Sequence, residues 1–134
     1  MAAIRGRNTE TEMSLRRLLH RMGFRYRLHR RDLPGTPDLV FAGRRAVVFV
    51  HGCFWHRHQG CANAVMPATR QQFWAAKLEA NVARDARVLD RLCEAGWRAL
   101  VVWECDLRRD PHGTAARLAV QLRLARPAAC AQLP

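Results

Sequence analysis

Ala46-Val47-Val48-Phe49-Val50 runs directly into His51-Gly52-Cys53-Phe54-Trp55-His56-Arg57-His58-Gln59-Gly60-Cys61, and this stretch decides how the chain is organised. The first five residues are apolar and mostly β-branched or aromatic, which reads as a short buried strand. The next eleven carry five metal-capable side chains and two large aromatics. A strand therefore delivers ligands, proton carriers and stacking groups to one spot, a combination that packing alone rarely requires.

Upstream, Leu33-Pro34-Gly35-Thr36-Pro37 has the chemistry of a turn, Asp38-Leu39-Val40-Phe41 reads as a short strand, and Gly43-Arg44 as a tight turn. Phe24 to His29 alternates large and basic residues, as a half-exposed strand does. Thr9-Glu10-Thr11-Glu12 resembles a capping box; Leu15, Leu18, Leu19 and Met22 follow at helical spacing, and Gly23 ends the helix. Downstream, the ligand-rich loop extends to about Ala68. Thr69 with Gln72 reads as a second capping box, opening a helical region that stops at Gly96 and whose length suggests a break near Asn81. Arg98 to Trp103 is another buried strand, and about Gly113 to Leu124 a last amphipathic helix. The order helix, three strands, helix, strand, helix predicts an α/β fold: a central mixed β-sheet flanked by helices, in one domain spanning 1–134 with flexible ends at about 1–8 and 126–134.

The 134 residues and 49% apolar content suit one globular domain with a real core. No run approaches the roughly 18–20 apolar residues that span a bilayer, and Met1 to Arg7 lacks a signal-peptide core, so a cytoplasmic protein is expected. Lys and Arg total 23 against 11 acidic residues, a net charge of +12 carried almost entirely by Arg, whose planar fork suits phosphate. A polyanionic partner follows, nucleic acid before an anionic membrane. An odd count of 5 cysteines argues against a disulfide framework and leaves room for a metal.

Cys53, His58 and Cys61 offer two thiolates and an imidazole at short spacing, a donor set that tetrahedral Zn²⁺ takes well. Cys105, just past a strand, is the best fourth ligand; Cys93 fits a helical pattern and reads as a small packing residue. Asp38 opens a strand after a turn, where a carboxylate can be held rigidly for Mg²⁺. A hairpin would bring His51 beside it, while His56 can take a proton from an attacking water. Glu12 and Asp85 are weaker candidates, with helix capping and arginine pairing as alternatives. Phe54, Trp55 and Trp74 either pack over the metal site or act as a wedge that unstacks bases.

Taken in order, Leu33-Pro34-Gly35-Thr36-Pro37-Asp38, Gly52-Cys53-Phe54-Trp55-His56, Phe73-Trp74, Asn81-Val82 with Arg84-Asp85, and Gly96-Trp97 through Trp103-Glu104-Cys105 resemble the very short patch repair (Vsr) DNA mismatch endonucleases, from about Ile4 to Leu107. The resemblance implies a restriction-endonuclease-like fold with a structural zinc, and Mg²⁺-dependent nicking of one strand beside the T of a T:G mismatch left by 5-methylcytosine deamination. It implies Asp38 and the backbone carbonyl of Val50 as Mg²⁺ ligands and His56 as general base. His51 and Asp85 would support the phosphate and leaving group, with Glu12 assisting. It further implies Cys53, His58, Cys61 and Cys105 on zinc, and Phe54, Trp55 and Trp74 as the intercalating wedge. Mismatched double-stranded DNA and mismatch-repair proteins are the implied partners of a monomeric, bacterial, nucleoid-associated enzyme. Val50 departs from a Thr in the family, and Gln59-Gly60 lengthens the zinc loop by one residue. The short segment before Thr9 reduces any DNA-wrapping arm. The rivals are a zinc-stabilised nuclease with another target and a non-catalytic DNA-kinking binder.

Overall fold

The computed structural model describes residues 9–124. The chain ends expected to be flexible, and the short arm before Thr9, lie outside the described residues.

Helix α1 (Glu10–Arg21) starts where Thr9 Oγ1 accepts the Glu12 N–H, a cap of about 1 kcal/mol. Acidic Glu10 and Glu12 in its first turn and basic His20 and Arg21 in its last complement the helix dipole. It ends in a Schellman motif: Gly23, at φ 98°, donates to His20 O, and Phe24 N donates to Leu19 O. The same device recurs downstream, where Gly96 at φ 87° donates to Cys93 O and Trp97 N to Leu92 O. Each motif turns an aromatic, Phe24 or Trp97, into the core.

Strands β1 (Arg27–Leu28), β2 (Leu39–Phe41), β3 (Ala46–His51) and β4 (Arg98–Trp103) form one sheet in that order. The first two pairings are antiparallel and β3 with β4 is parallel, so the sheet is mixed as expected. Between β3 and β4 runs α2 (Gln71–Glu94); after β4 come α3 (Glu104–Arg109) and α4 (Pro111–Arg123). Alternation along the strands builds two cores. Leu39, Phe41, Ala46, Val48, Leu100 and Val102 pack against α1, α3 and α4, while Val40, Val47 and Phe49 pack with Leu92 of α2 and Trp97. The sheet is therefore flanked by helices on both faces, as the sequence predicts.

Three local expectations need correction. Thr69 does not cap α2; the helix starts at Gln71 behind Arg70, whose backbone is left-handed at φ 53° and offers no side-chain cap. There is no break at Asn81, because its side chain bonds Trp55 O at 3.2 Å instead of competing for its own helix backbone. A six-residue helix, α3, precedes the last one, which begins at Pro111 rather than Gly113; Asp110 caps it by accepting the Gly113 N–H. Six residues are too few to display a helical period.

Candidate active site

Strand register assembles the site. His51 and Trp103 are partners at the carboxyl ends of the parallel pair, so Cys53 and Cys105, each two residues further on, emerge side by side. Across the antiparallel edge, Leu28 pairs with Leu39, and the next residues outward, His29 and Asp38, meet through a His29 N–H to Asp38 O bond of 3.2 Å. One cleft of about 830 Å³ runs from the Asp38 region to His51 and His56, with Lys77, Arg84 and Arg108 on its lining.

Cys53, His58, Cys61 and Cys105 place one ligand atom each within 4.8 Å of one another. Cys105 Sγ is 3.4 Å from His58 Nδ1, and the His58 ring stacks on Trp103 at 4.1 Å and 7°. All three cysteines are free thiols. Burial pushes the Cys53 thiol up to about 12 and raises Cys105 as well, whereas the Cys61 thiol is lowered, chiefly by a hydrogen bond with the Asn63 backbone. Buried thiols of this kind do not ionise alone; they give up protons to a metal. The set expected from spacing, with Cys105 as fourth member, is thus brought together and can hold a metal. The longer Gln59-Gly60 loop fits because Gly60 takes a left-handed φ of 72°. Cys93 lies outside the set, half-buried on α2.

The remaining polar groups divide into two clusters. In the first, Asp38 is fixed by accepting the Val50 N–H on Oδ2 at 2.7 Å. Glu12, 1% exposed, meets Arg16 at 3.3 Å and His29 Nε2 at 2.9 Å. Val50 lines the cleft and packs, partly buried, against the core on the α1 face. In the second, His56 Nδ1 lies 2.6 Å from Asp85 Oδ2, and the His51 and His56 rings stack at 3.8 Å and 6°. Burial, then the neighbouring His56, lowers His51 to about 3, so it is neutral at physiological pH.

The structure adds detail to the sequence reading, which placed His51 near Asp38. His51 clusters with His56 and Asp85, while Asp38 clusters with Glu12 and His29; the two groups share the cleft but are separate ligand sets. The β2–β3 register, extended by one pair, sets Asp38 opposite Phe49, so His51 lies two residues further along β3 on the same face. Asp85 meets His56 instead of an arginine. His29 was missed; its signal was its place at the end of the strand expected over Phe24 to His29, which the structure pairs with β2.

Phe54, Trp55 and Trp74 form one aromatic cluster with ring centroids 5.0–5.8 Å apart. Phe73 joins it through Trp74 at 5.2 Å and is 46% exposed, with Arg70 over its ring. This cluster caps the outer end of α2, away from both cores.

Residues 1–63 match the model of the family described as DNA mismatch endonuclease Vsr. The chain is 54% identical over 107 residues to the type II nicking enzyme V.XorIIP of Xanthomonas oryzae pv. oryzae, covering 80% of this chain and 78% of that protein. It is 49% identical over 108 residues to the DNA mismatch endonuclease Vsr of Escherichia coli K12, covering 81% and 69%. The type II nicking enzyme V.NaeI of Lentzea aerocolonigenes is 40% identical over 116 residues. Among the described residues no helix is long and apolar enough to cross a membrane. A cleft carrying two carboxylate–histidine clusters beside a cysteine–histidine cluster, in a chain this similar to named nicking enzymes, belongs to a DNA endonuclease of the Vsr mismatch-endonuclease family.

Proposed function

We propose that this chain nicks one DNA strand beside the T of a T:G mismatch arising from 5-methylcytosine deamination. In this reading the enzyme is a monomeric single domain with a restriction-endonuclease-like fold, working in the bacterial cytoplasm on nucleoid DNA alongside mismatch-repair proteins. The observation that carries it is the shared cleft. Carboxylates suited to a hard divalent ion and a carboxylate-oriented histidine line one space, and cationic residues that attract phosphate border it.

The donor chemistry fits both implied metals. Asp38 would supply a hard carboxylate oxygen for Mg²⁺ and Val50, which lines the same cleft, its backbone carbonyl. Cys53, His58, Cys61 and Cys105 supply a Cys₃His set for Zn²⁺. Mg²⁺, when bound, neutralises charge on the scissile phosphate. Asp38 is held in place by Val50 N–H. His56, donating Nδ1–H to Asp85, presents Nε2 as general base toward water. Neutral His51 and Asp85 support the phosphate and leaving group, and Glu12 assists by hydrogen bonding. Zinc does no chemistry; it fixes the loop that carries His56, Phe54 and Trp55. Those two aromatics and Trp74 enter the base stack, at an unstacking cost of about a few kcal/mol.

The test is nicking of end-labelled duplexes carrying each mismatch, with and without Mg²⁺. The T:G duplex is expected to be cut only with the ion. Asp38→Ala and His56→Ala should abolish cutting while retaining zinc and fold; parental activity in either variant refutes the assigned roles. Binding without cleavage by the parent protein would favour a DNA-kinking binder.

A further inference from the structure

His29 is a chemistry-bearing side chain in the cleft with no part in the proposed reaction. Its backbone is left-handed, φ 47°, a conformation uncommon for a residue with a side chain and one that clusters where function demands it. That backbone turns the imidazole inward, where it is only 13% exposed, with Nε2 at 2.9 Å from Glu12 Oε2 and 3.8 Å from Asp38 Oδ1. All three ligand atoms lie within 4.8 Å of one another. Donors around one ion at about 2.1 Å are separated by roughly 3–4.2 Å in tetrahedral or octahedral geometry. The two spacings from His29 Nε2, 2.9 and 3.8 Å, lie close to that range, and the third is within 4.8 Å, so small shifts of the side chains bring all three donors onto one ion.

We propose that His29 Nε2 is a nitrogen ligand of the metal site at Asp38, beside Glu12, tuning that site toward borderline transition ions such as Mn²⁺ or Co²⁺ rather than Mg²⁺ alone. The inference rests on the reading of Asp38 as a metal-binding carboxylate. Mg²⁺ gains little from imidazole and favours an all-oxygen shell, whereas affinity of a mixed N/O site follows the first-row transition order. Replacing the imidazole by an amide keeps a polar group of similar reach but removes the nitrogen donor. The loss then falls on the transition ion.

The experiment is binding of Mn²⁺ and of Mg²⁺ to the zinc-loaded full chain without DNA, by calorimetry and by pulsed electron paramagnetic resonance of bound Mn²⁺. Parent, His29→Gln and Asp38→Asn are compared, with thermal unfolding to establish that each is folded. In the parent, Mn²⁺ is expected to bind more tightly than Mg²⁺ and to show nitrogen modulation from a directly bound imidazole. His29→Gln should lose that modulation and weaken Mn²⁺ by about tenfold or more, with Mg²⁺ changed by less than about threefold. Equal effects on both ions, or none on either, would overturn the assignment of His29 while leaving Asp38 in place. Unchanged binding of both ions to Asp38→Asn would overturn the underlying site.

Discussion

The 2.6 Å contact between His56 Nδ1 and Asp85 Oδ2 decides which ring nitrogen can take a proton. A carboxylate accepts only, so it fixes Nδ1 as the protonated position and leaves Nε2 basic. The parallel stack on His51 at 3.8 Å would oppose proton uptake if both rings became charged, but burial keeps His51 neutral down to about pH 3. Proton uptake by His56 is then compensated by Asp85 and unopposed by its neighbour. Asp85→Asn removes the charge and allows an amide N–H to donate to Nδ1, which favours the wrong tautomer. Single-turnover nicking of the T:G duplex should fall by about 10²–10⁴-fold, with duplex affinity changed by less than about threefold. Nicking at the parental rate would show that Asp85 does not orient the base. His51 and His56 were legible because they are five residues apart in one motif. Asp85 lies 29 residues from His56, and local sequence shows it only as a charge among arginines.

Among the elements, the Leu33–Pro37 turn aims Asp38, and it does so by tucking Gly35 under α2. Gly35 sits at φ 75°, and an added Cβ would lie 2.5 Å from Val88 Cγ1 and 3.2 Å from Phe49 Cε1. Gly35→Ala therefore combines a strained backbone with overpacking, about 2–4 kcal/mol together. It should lower the denaturation midpoint, and it should slow nicking to the extent that the turn, rather than Val88 and Phe49, gives way and moves Asp38. Gly43→Ala, whose Cβ meets nothing within 4 Å, is the matched control and should change stability by less than about 1 kcal/mol. Equal stability of the two variants would show that the turn is not packed as described. The strands were readable because β2, β3 and β4 are short apolar runs, and both helix stops because Gly23 and Gly96 are Schellman glycines. The continuity of α2 was not readable: of its 24 residues only Leu78 and Leu92 are buried, so most of the helix carries no hydrophobic stripe. Its residues Trp74, Asn81 and Asp85 lie against residues of the loop.

Across the whole molecule, a sheet with a core on each face supplies the rigid frame and carries Glu12, Asp38 and His51 on or beside it, while the loop after β3 belongs to neither core cluster. Between β3 and α2 the only regular structure is a three-residue 3-10 turn, Ala62–Ala64. That connection, which carries Phe54, Trp55 and His56, is tied back by the Cys53, His58, Cys61 and Cys105 set and by Asn81. A metal held by these four residues would join the loop after β3 to the start of α3 after β4 and so tie the two parallel strand ends together. Burial favours the protonated form of Cys53 and Cys105, so a metal that displaces those protons would supply ties the neutral thiols do not. Cys105→Ser, or a chelator acting on the parent protein, should therefore lower zinc content from about one per chain, measured by elemental analysis. The denaturation midpoint should drop by several degrees, and nicking should be lost together with the metal. Far-UV circular dichroism should stay close to the parental spectrum, because Leu15, Leu19, Val48, Leu100 and Leu122 are buried without help from the loop. Asp38→Ala provides the contrast, losing activity at full zinc content. Unchanged zinc in Cys105→Ser would remove that residue from the cluster, and nicking that survives complete zinc loss would separate the staple from catalysis.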